Sequence, residues 1–186
     1  MKLLVYVGAV TEPRKLDILI EMMSFLPQAQ LCFVGKRDED YVSKLQKLSK
    51  KLGIENRIWF RGPVHHEQVV NYISGSDLSF VLIPNSSLSY KLSLPNKFFE
   101  SILAKVPIAI YSHSEEMIKM FGDQTGSLRL DTLSAKELAS QVQKFLDSSS
   151  PTLSNRLTKS QKFLKKGTLE RIEFVKSIES LSLIHI

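Results

Sequence analysis

The chain reads as an α/β protein, a doubly wound, Rossmann-like parallel sheet of about six strands with helices on both faces, followed by C-terminal helices. Three observations predict it. Apolar runs of strand length alternate with longer stretches of helical period through residues 1 to 147. Parallel strands need crossover connections long enough to hold a helix, and that is what separates the apolar runs here. The length of 186 residues, 43% hydrophobic and 24% charged, suits one sizeable core plus an appendage rather than two full domains.

The first strand is expected at Leu3 to Val7. A lysine before a short apolar run imitates a secretion signal, but the run holds Tyr6 and breaks at Thr11-Glu12-Pro13-Arg14, so a buried strand is the better reading. A helix follows over Arg14 to Leu26, then a strand over Gln30 to Val34 and a helix over Asp40 to Leu52. Next come a strand at Arg57 to Phe60, a helix at Glu67 to Ser74 and a strand at Leu78 to Ile83. The remaining elements are helices at Pro95 to Ala104, Glu115 to Phe121 and Ser134 to Leu146, with strands at Pro107 to Tyr111 and, more weakly, Ser127 to Leu130. Asp40, Ser134 and His65 stand where helix N-caps are useful.

Domain organisation follows from composition. Residues 1 to 147 form the Rossmann-like domain, Ser148-Ser149-Ser150-Pro151-Thr152 opens a linker over residues 148 to 154, and residues 155 to 181 have the spacing of amphipathic helices. The last five residues, 182 to 186, depart abruptly from that pattern and are set aside as a non-native end. No internal repeat is visible.

Several function classes are disfavoured at once. No apolar run approaches bilayer-spanning length. A single cysteine, Cys32, excludes an internal disulfide and reads as a small core residue in a reducing compartment. The net charge of +6 is uneven, because residues 151 to 186 carry seven Lys/Arg against three Glu. Without interleaved aromatics or a recognised motif this tail does not read as a nucleic-acid binder. The adjacent His65 and His66 lack the further ligands a metal site needs, so no metal is expected.

In doubly wound sheets, ligands bind beyond the carboxyl ends of the strands where strand order reverses, which directs attention to the loops after the first and fourth strands. The first holds Gly8, Arg14 and Lys15, a backbone and two cations suited to a diphosphate. The other is Pro84 to Leu94, longer than such connections usually are. It feeds Pro95-Asn96-Lys97-Phe98-Phe99-Glu100, a helix start with a cation in its first turn and a lone carboxylate in its second. Helix starts offer unpaired N–H groups and a positive dipole end to phosphate oxygens. A carboxylate one turn further on is placed to accept hydroxyls. Glu100 sits among Phe98, Phe99, Ile102 and Leu103, so it is expected to be buried, and a buried carboxylate calls for hydrogen-bond donors.

The block from Leu92 to Ile110, with Pro95-Asn96-Lys97, Phe99-Glu100 and Pro107-Ile108, resembles the donor-binding C-terminal domain of GT-B glycosyltransferases of the retaining, group 1 type. The resemblance extends over roughly residues 1 to 147 and includes Gly8, the cations after it, and Phe60-Arg61-Gly62-Pro63-Val64, similar to a turn that lines the nucleobase. It implies that Arg14 or Lys15 meets the diphosphate as the catalytic cation, with Arg14 favoured by the following Leu16-Asp17-Ile18-Leu19-Ile20. It implies donor-binding parts for Gly8, Gly62, Val64, Leu92, Ser93, Leu94, Pro95, Asn96, Lys97 and Glu100, the last on the ribose. Many members carry a second acid eight positions before this one. Here that position is Leu92, which leaves ribose recognition intact and makes direct acid contact to the sugar doubtful.

The implied activity is transfer of a sugar from a nucleoside-diphosphate sugar to an acceptor with retention, with no cofactor beyond that substrate. The partners implied are the nucleotide sugar, an N-terminal acceptor domain missing from this chain, and peripheral membrane contact, in the cytoplasm or at the inner membrane surface. The tail resembles in place and character the C-terminal helix that crosses back onto the other domain. The competing reading is a non-catalytic nucleotide-binding or scaffold module.

Overall fold

Alternation along β1 (Lys2–Val7) sends Leu4 and Tyr6 to one face and Val5 and Val7 to the other, and all four are buried. A strand buried on both sides belongs in the middle of a sheet covered by helices above and below. The computed structural model describes residues 1–83, 94–121, 128–130 and 134–148. The expectations for Leu92, Ser93, the rest of loop 84–93, the linker beyond Ser148, the helical tail and residues 182–186 lie outside the described residues.

Around β1 lie β2 (Ala29–Val34), β3 (Ile58–Arg61), β4 (Leu78–Phe80), β5 (Ile108–Tyr111) and β6 (Leu128–Leu130). They form one six-stranded parallel sheet in the order β3-β2-β1-β4-β5-β6, the doubly wound arrangement expected from the sequence. The helices are α1 (Asp17–Met23), α2 (Glu39–Lys51), α3 (His66–Ser74), α4 (Asn96–Leu103), α5 (Glu115–Phe121) and α6 (Ala135–Asp147). On one face Leu4, Tyr6, Leu31, Phe33, Leu78 and Phe80 form the main core with residues of α1, α2 and α6, such as Leu19, Leu45 and Leu138. The Phe33 and Phe60 rings stack within it at 5.0 Å. On the other face α3 covers Val5, Val7 and Val34, while α4 and α5 cover Val81, Ile108 and Ile110.

The structure corrects several sequence expectations. The first long helix begins at Asp17 rather than Arg14: Glu12–Arg14 make a single 3-10 turn, and Lys15 then takes a left-handed conformation (φ 49°) that breaks the helical path. Asp38, not Asp40, caps α2, because its extended backbone lets the carboxylate accept the Tyr41 N–H at 3.0 Å. Asp40 lies in the first turn, where its charge complements the helix dipole. Ser134 and His65 occupy N-cap positions without a side-chain capping bond. The fourth strand stops at Phe80, although the Val81 N–H still donates to the Ala109 carbonyl at 2.9 Å.

Arg57 belongs to a 3-10 turn before β3 rather than to the strand, for a physical reason. Its guanidinium donates to the carbonyls of Met23 (2.9 Å), the last residue of α1, Leu26 (2.6 Å), in the turn after it, and Ala29 (3.0 Å), the first residue of β2, and so ties the α1–β2 connection to the start of β3. Cys32 is only partly buried, on the sheet face beside β3, and burial raises its thiol pKa. Among the described residues no helix is long and apolar enough to cross a membrane.

Candidate functional site

From β1 the chain winds outward through β2 and β3, then returns to place β4 on the other side of β1. The carboxyl ends of β1 and β4 therefore lie side by side where the strand order reverses, the place where a crevice opens in such sheets. A cleft of about 310 Å³ lies there. Its walls are Tyr6 to Ala9 from the end of β1, Phe80 to Ile83 from the end of β4, Arg14, and Pro95, Asn96 and Lys97 at the start of α4.

The glycine at the end of β1 is held by a neighbour that sequence reasoning did not single out. The Gly8 N–H donates to the Val34 carbonyl at 2.9 Å, and Gly35 lies directly against the Gly8 carbonyl. A Cβ on Gly35, where φ is +141°, would overlap that oxygen. The tightness of this contact was legible only as one more glycine after an apolar run. Tyr6 was read simply as part of a buried strand. Its hydroxyl in fact donates to the Ala9 carbonyl at 3.3 Å on the cleft wall, and burial, only partly opposed by the Arg14 charge, pushes its pKa up to about 12.

The two cations separate. Arg14 lines the cleft, whereas Lys15 is exposed and is not among the residues lining it. The start of α1 is fixed by Tyr41 of α2, whose hydroxyl accepts the buried Leu16 N–H at 2.7 Å and donates to Asp17 at 3.3 Å. Burial pushes the Tyr41 pKa up to about 12, so the hydroxyl keeps its proton for that second bond.

Pro95 stands at the N-cap of α4 with Asn96 and Lys97 in the first turn, so the unpaired N–H end of the helix faces the cleft. Ser101 Oγ lies 2.7 Å from the Lys97 carbonyl and 2.9 Å from Ser79 Oγ. Its one proton goes to the carbonyl and Ser79 donates to it in turn, fastening α4 to β4. His113, after β5, donates from Nε2 to the Ile83 carbonyl at 2.9 Å and stacks on Tyr111, which supports the cleft's β4 wall. Neither Ser101 nor His113 was expected to matter. Their signal is a contact between elements, which sequence spacing does not show.

Glu100 is buried, 5% exposed, as its neighbours predicted. It does not line the cleft itself but lies one turn of α4 beyond Lys97. Oε2 is 3.8 Å from Lys97 Nζ, and Oε1 is 3.3 Å from Nδ1 of His66, the first residue of α3. Both approaches are close enough for charge attraction, but neither has hydrogen-bond geometry, so among the described residues both buried oxygens are without a hydrogen bond. That is expensive for a carboxylate, whose two oxygens can only accept and so call for donors. Leu94 packs at the edge of the cluster under α4 and α5.

Gly62 follows β3, and among the described residues beyond its chain neighbours a side-chain carbon placed on it would meet nothing within 4 Å. Val64 packs against the Val69 and Ile73 cluster near α3. The structure thus gathers Gly8, Arg14, Pro95, Asn96 and Lys97 around one cleft, with Glu100 beside it and Gly62 and Val64 on the turn leading into α3. Among the described residues, no group of three or more His, Cys, Asp or Glu is placed to hold a metal ion.

Fold and site define a doubly wound α/β domain with an anion-facing cleft at its switch point. The chain belongs to the family of glycosyl transferases group 1, whose model matches residues 1–163. No curated protein matches the sequence. Solved structures do share the fold. The HepE protein (Alr3699) of Anabaena, in complex with UDP and glucose, is 16% identical at a TM-score of 0.75, with 96% of this chain and 48% of that one covered. WaaG, a glycosyltransferase involved in lipopolysaccharide biosynthesis, is 18% identical at 0.67, covering 88% and 42%. A glycosyltransferase from Rickettsia africae is 13% identical at 0.71, covering 86% and 41%. This chain spans less than half the length of each of the three.

Proposed function

We propose that this chain is the donor-binding half of a glycosyltransferase that transfers a sugar from a nucleoside-diphosphate sugar with retention. The observation that carries it is the junction of Gly8, Arg14 and the α4 N-terminus around one cleft, with a buried, unbonded carboxylate one turn away. A diphosphate at the cleft meets the Arg14 charge and the N–H groups that open α4. The Glu100 oxygens accept the ribose hydroxyls, and the turn at Gly62 and Val64 borders the base. When the bond to the sugar breaks, the departing diphosphate gains charge, and Arg14 with the helix N-terminus stabilises it where it forms. No metal or cofactor is required in this scheme.

The acceptor is selected by a second, N-terminal domain, in keeping with the chain's span of less than half of the matched structures. Residues 1–147 form the donor domain, with a linker and helical tail after it. Membrane contact belongs with the acceptor side, on the cytoplasmic face.

A thermal-shift series with UDP, GDP, ADP and their sugars tests the reading, since a ligand that binds only the folded state raises its melting temperature. Selective stabilisation by one nucleotide and its sugar is expected, with no sugar transfer by the isolated chain. No shift with any of them overturns the donor-binding role, and measurable transfer overturns the need for a second domain. Leu92, where many relatives carry an acid, favours the non-catalytic alternative. Nucleotide binding without transfer even when an acceptor domain is joined to the chain would select that alternative.

A further inference from the structure

The Glu100 carboxylate is approached from two elements. Lys97 of α4 stands on the Oε2 side, and Lys97 itself lines the cleft. His66 of α3 stands on the Oε1 side, and its imidazole is 75% exposed. Among the described residues these are the charged groups within 4 Å of the carboxylate. His65 and Glu67 flank His66 on the exposed first turn of α3, and Arg14 stands at the cleft. The α3 N-terminus adds the positive end of its dipole on the same side as the imidazole.

Among the described residues this deeply buried carboxylate has no hydrogen bond, so the charges of His66 and Lys97 are the polar influences on its orientation there. An imidazolium at Oε1 attracts that oxygen toward α3 and leaves Oε2 on the side of Lys97. Neutral imidazole exerts no such charge attraction. Histidine is the side chain type that can carry or lose a charge near physiological pH, which makes an exposed imidazole over a buried acid a place where pH can act.

Resting on the donor-binding reading above, we propose that His66 is a positioning residue for Glu100: its protonated imidazole orients the carboxylate for ribose hydroxyls and makes nucleotide affinity depend on pH. The role belongs to a side chain on α3, outside the cleft walls, and it acts only through Glu100.

The test is calorimetric titration with whichever of UDP, GDP or ADP binds most tightly, at about pH 5.5 and about pH 8.5, for the unaltered chain, His66→Ala, His66→Lys and Glu100→Gln. An ion pair of this kind corresponds to about fivefold in affinity, so His66→Ala is expected to bind about fivefold more weakly at the acid pH and about equally at the alkaline pH. The nucleotide's own phosphate titration affects both proteins alike and cancels in their ratio. His66→Lys, charged at both values, is expected to retain the acid-pH advantage at the alkaline pH. In the Glu100→Gln background, His66→Ala is expected to change nothing. A His66→Ala effect of the same size at both pH values, or one that persists without the Glu100 charge, overturns the positioning role while leaving the donor site standing. Nucleotide binding that is absent, or indifferent to Glu100→Gln, overturns the donor-site reading itself.

Discussion

The carbonyl oxygen of Gly8 occupies the space where a side-chain carbon on Gly35 would stand. The loops leaving β1 and β2 touch backbone to backbone at this point, with the Gly8 N–H bonded to Val34 and the Val10 N–H bonded to Lys36 at 2.8 Å. Gly8 is part of the cleft wall, so a glycine outside the cleft decides the position of one within it.

Gly35→Ala is therefore expected to destabilise the fold by about 2 kcal/mol or more, combining a backbone collision with a φ of +141° that side chains rarely adopt. It is also expected to weaken nucleotide binding by displacing Gly8. Chemical denaturation and nucleotide titration of the same protein check both effects. Unchanged stability would mean that the two loops separate freely.

Arg57 bonds three carbonyls around the end of α1 from across the sheet edge. Arg57→Ala removes three charge-assisted bonds to partly buried carbonyls, two of which keep a backbone N–H partner, which points to a loss of about 2 to 4 kcal/mol on the scale for bonds to charged groups. Arg57→Lys is expected to recover little, because an ammonium does not reproduce the planar fork. Urea unfolding of the two variants measures this, and a loss under about 0.5 kcal/mol would show that water substitutes for the guanidinium.

Glu100 and Gly62 should separate binding from folding. Glu100→Ala removes a buried carboxylate with no hydrogen bond, so stability is expected to hold or rise while nucleotide affinity falls about tenfold. Gly62→Ala places a methyl group where, among the described residues beyond its chain neighbours, no atom lies within 4 Å, so the fold is expected to be unaffected. If a base packs on that turn, the same methyl weakens binding by about fivefold or more, roughly the cost of displacing a close contact. Melting curves and calorimetry on both variants give the answer, and Glu100→Ala with unaltered affinity would remove the carboxylate from the site.

Alkaline stability should report on Tyr6. Its pKa is pushed from 10.0 up to about 12 in the folded protein, chiefly by burial, so the folded state holds the phenol proton more tightly than the unfolded chain does. The resulting stabilisation is fully present below about pH 10 and is lost as the pH rises from 10 to 12. At about 1.4 kcal/mol per pH unit, the contribution amounts to about 2 to 3 kcal/mol. Unfolding of the unaltered chain and of Tyr6→Phe, compared at about pH 8 and about pH 11.5, should show the unaltered chain losing more. Equal losses would mean that Tyr6 ionises without cost in place.

Much of the site could be read before any coordinates. A proline-led helix start with Lys97 and Glu100 one turn apart is a local pattern, and helical spacing alone places those residues on adjacent turns. Burial of Glu100 followed from Phe98 and Ile102 beside it, both of which are fully buried. The start of α1 differs from the spacing because Lys15 takes a left-handed conformation and the Leu16 N–H is held by the Tyr41 hydroxyl, 25 residues away in sequence.

The sequence by itself determined the alternation of strands and helices, because hydrophobic period is a property of neighbouring residues and needs no partner to be legible. It also pointed to the carboxyl ends of the first and fourth strands, which doubly wound winding places side by side. Only the tertiary structure decided that Arg14 rather than Lys15 faces the cleft, that Gly35 fixes Gly8, and that His66 stands over Glu100. Each of these joins residues from separate crossovers, whose distance is set by how helices pack on the sheet and not by their spacing along the chain.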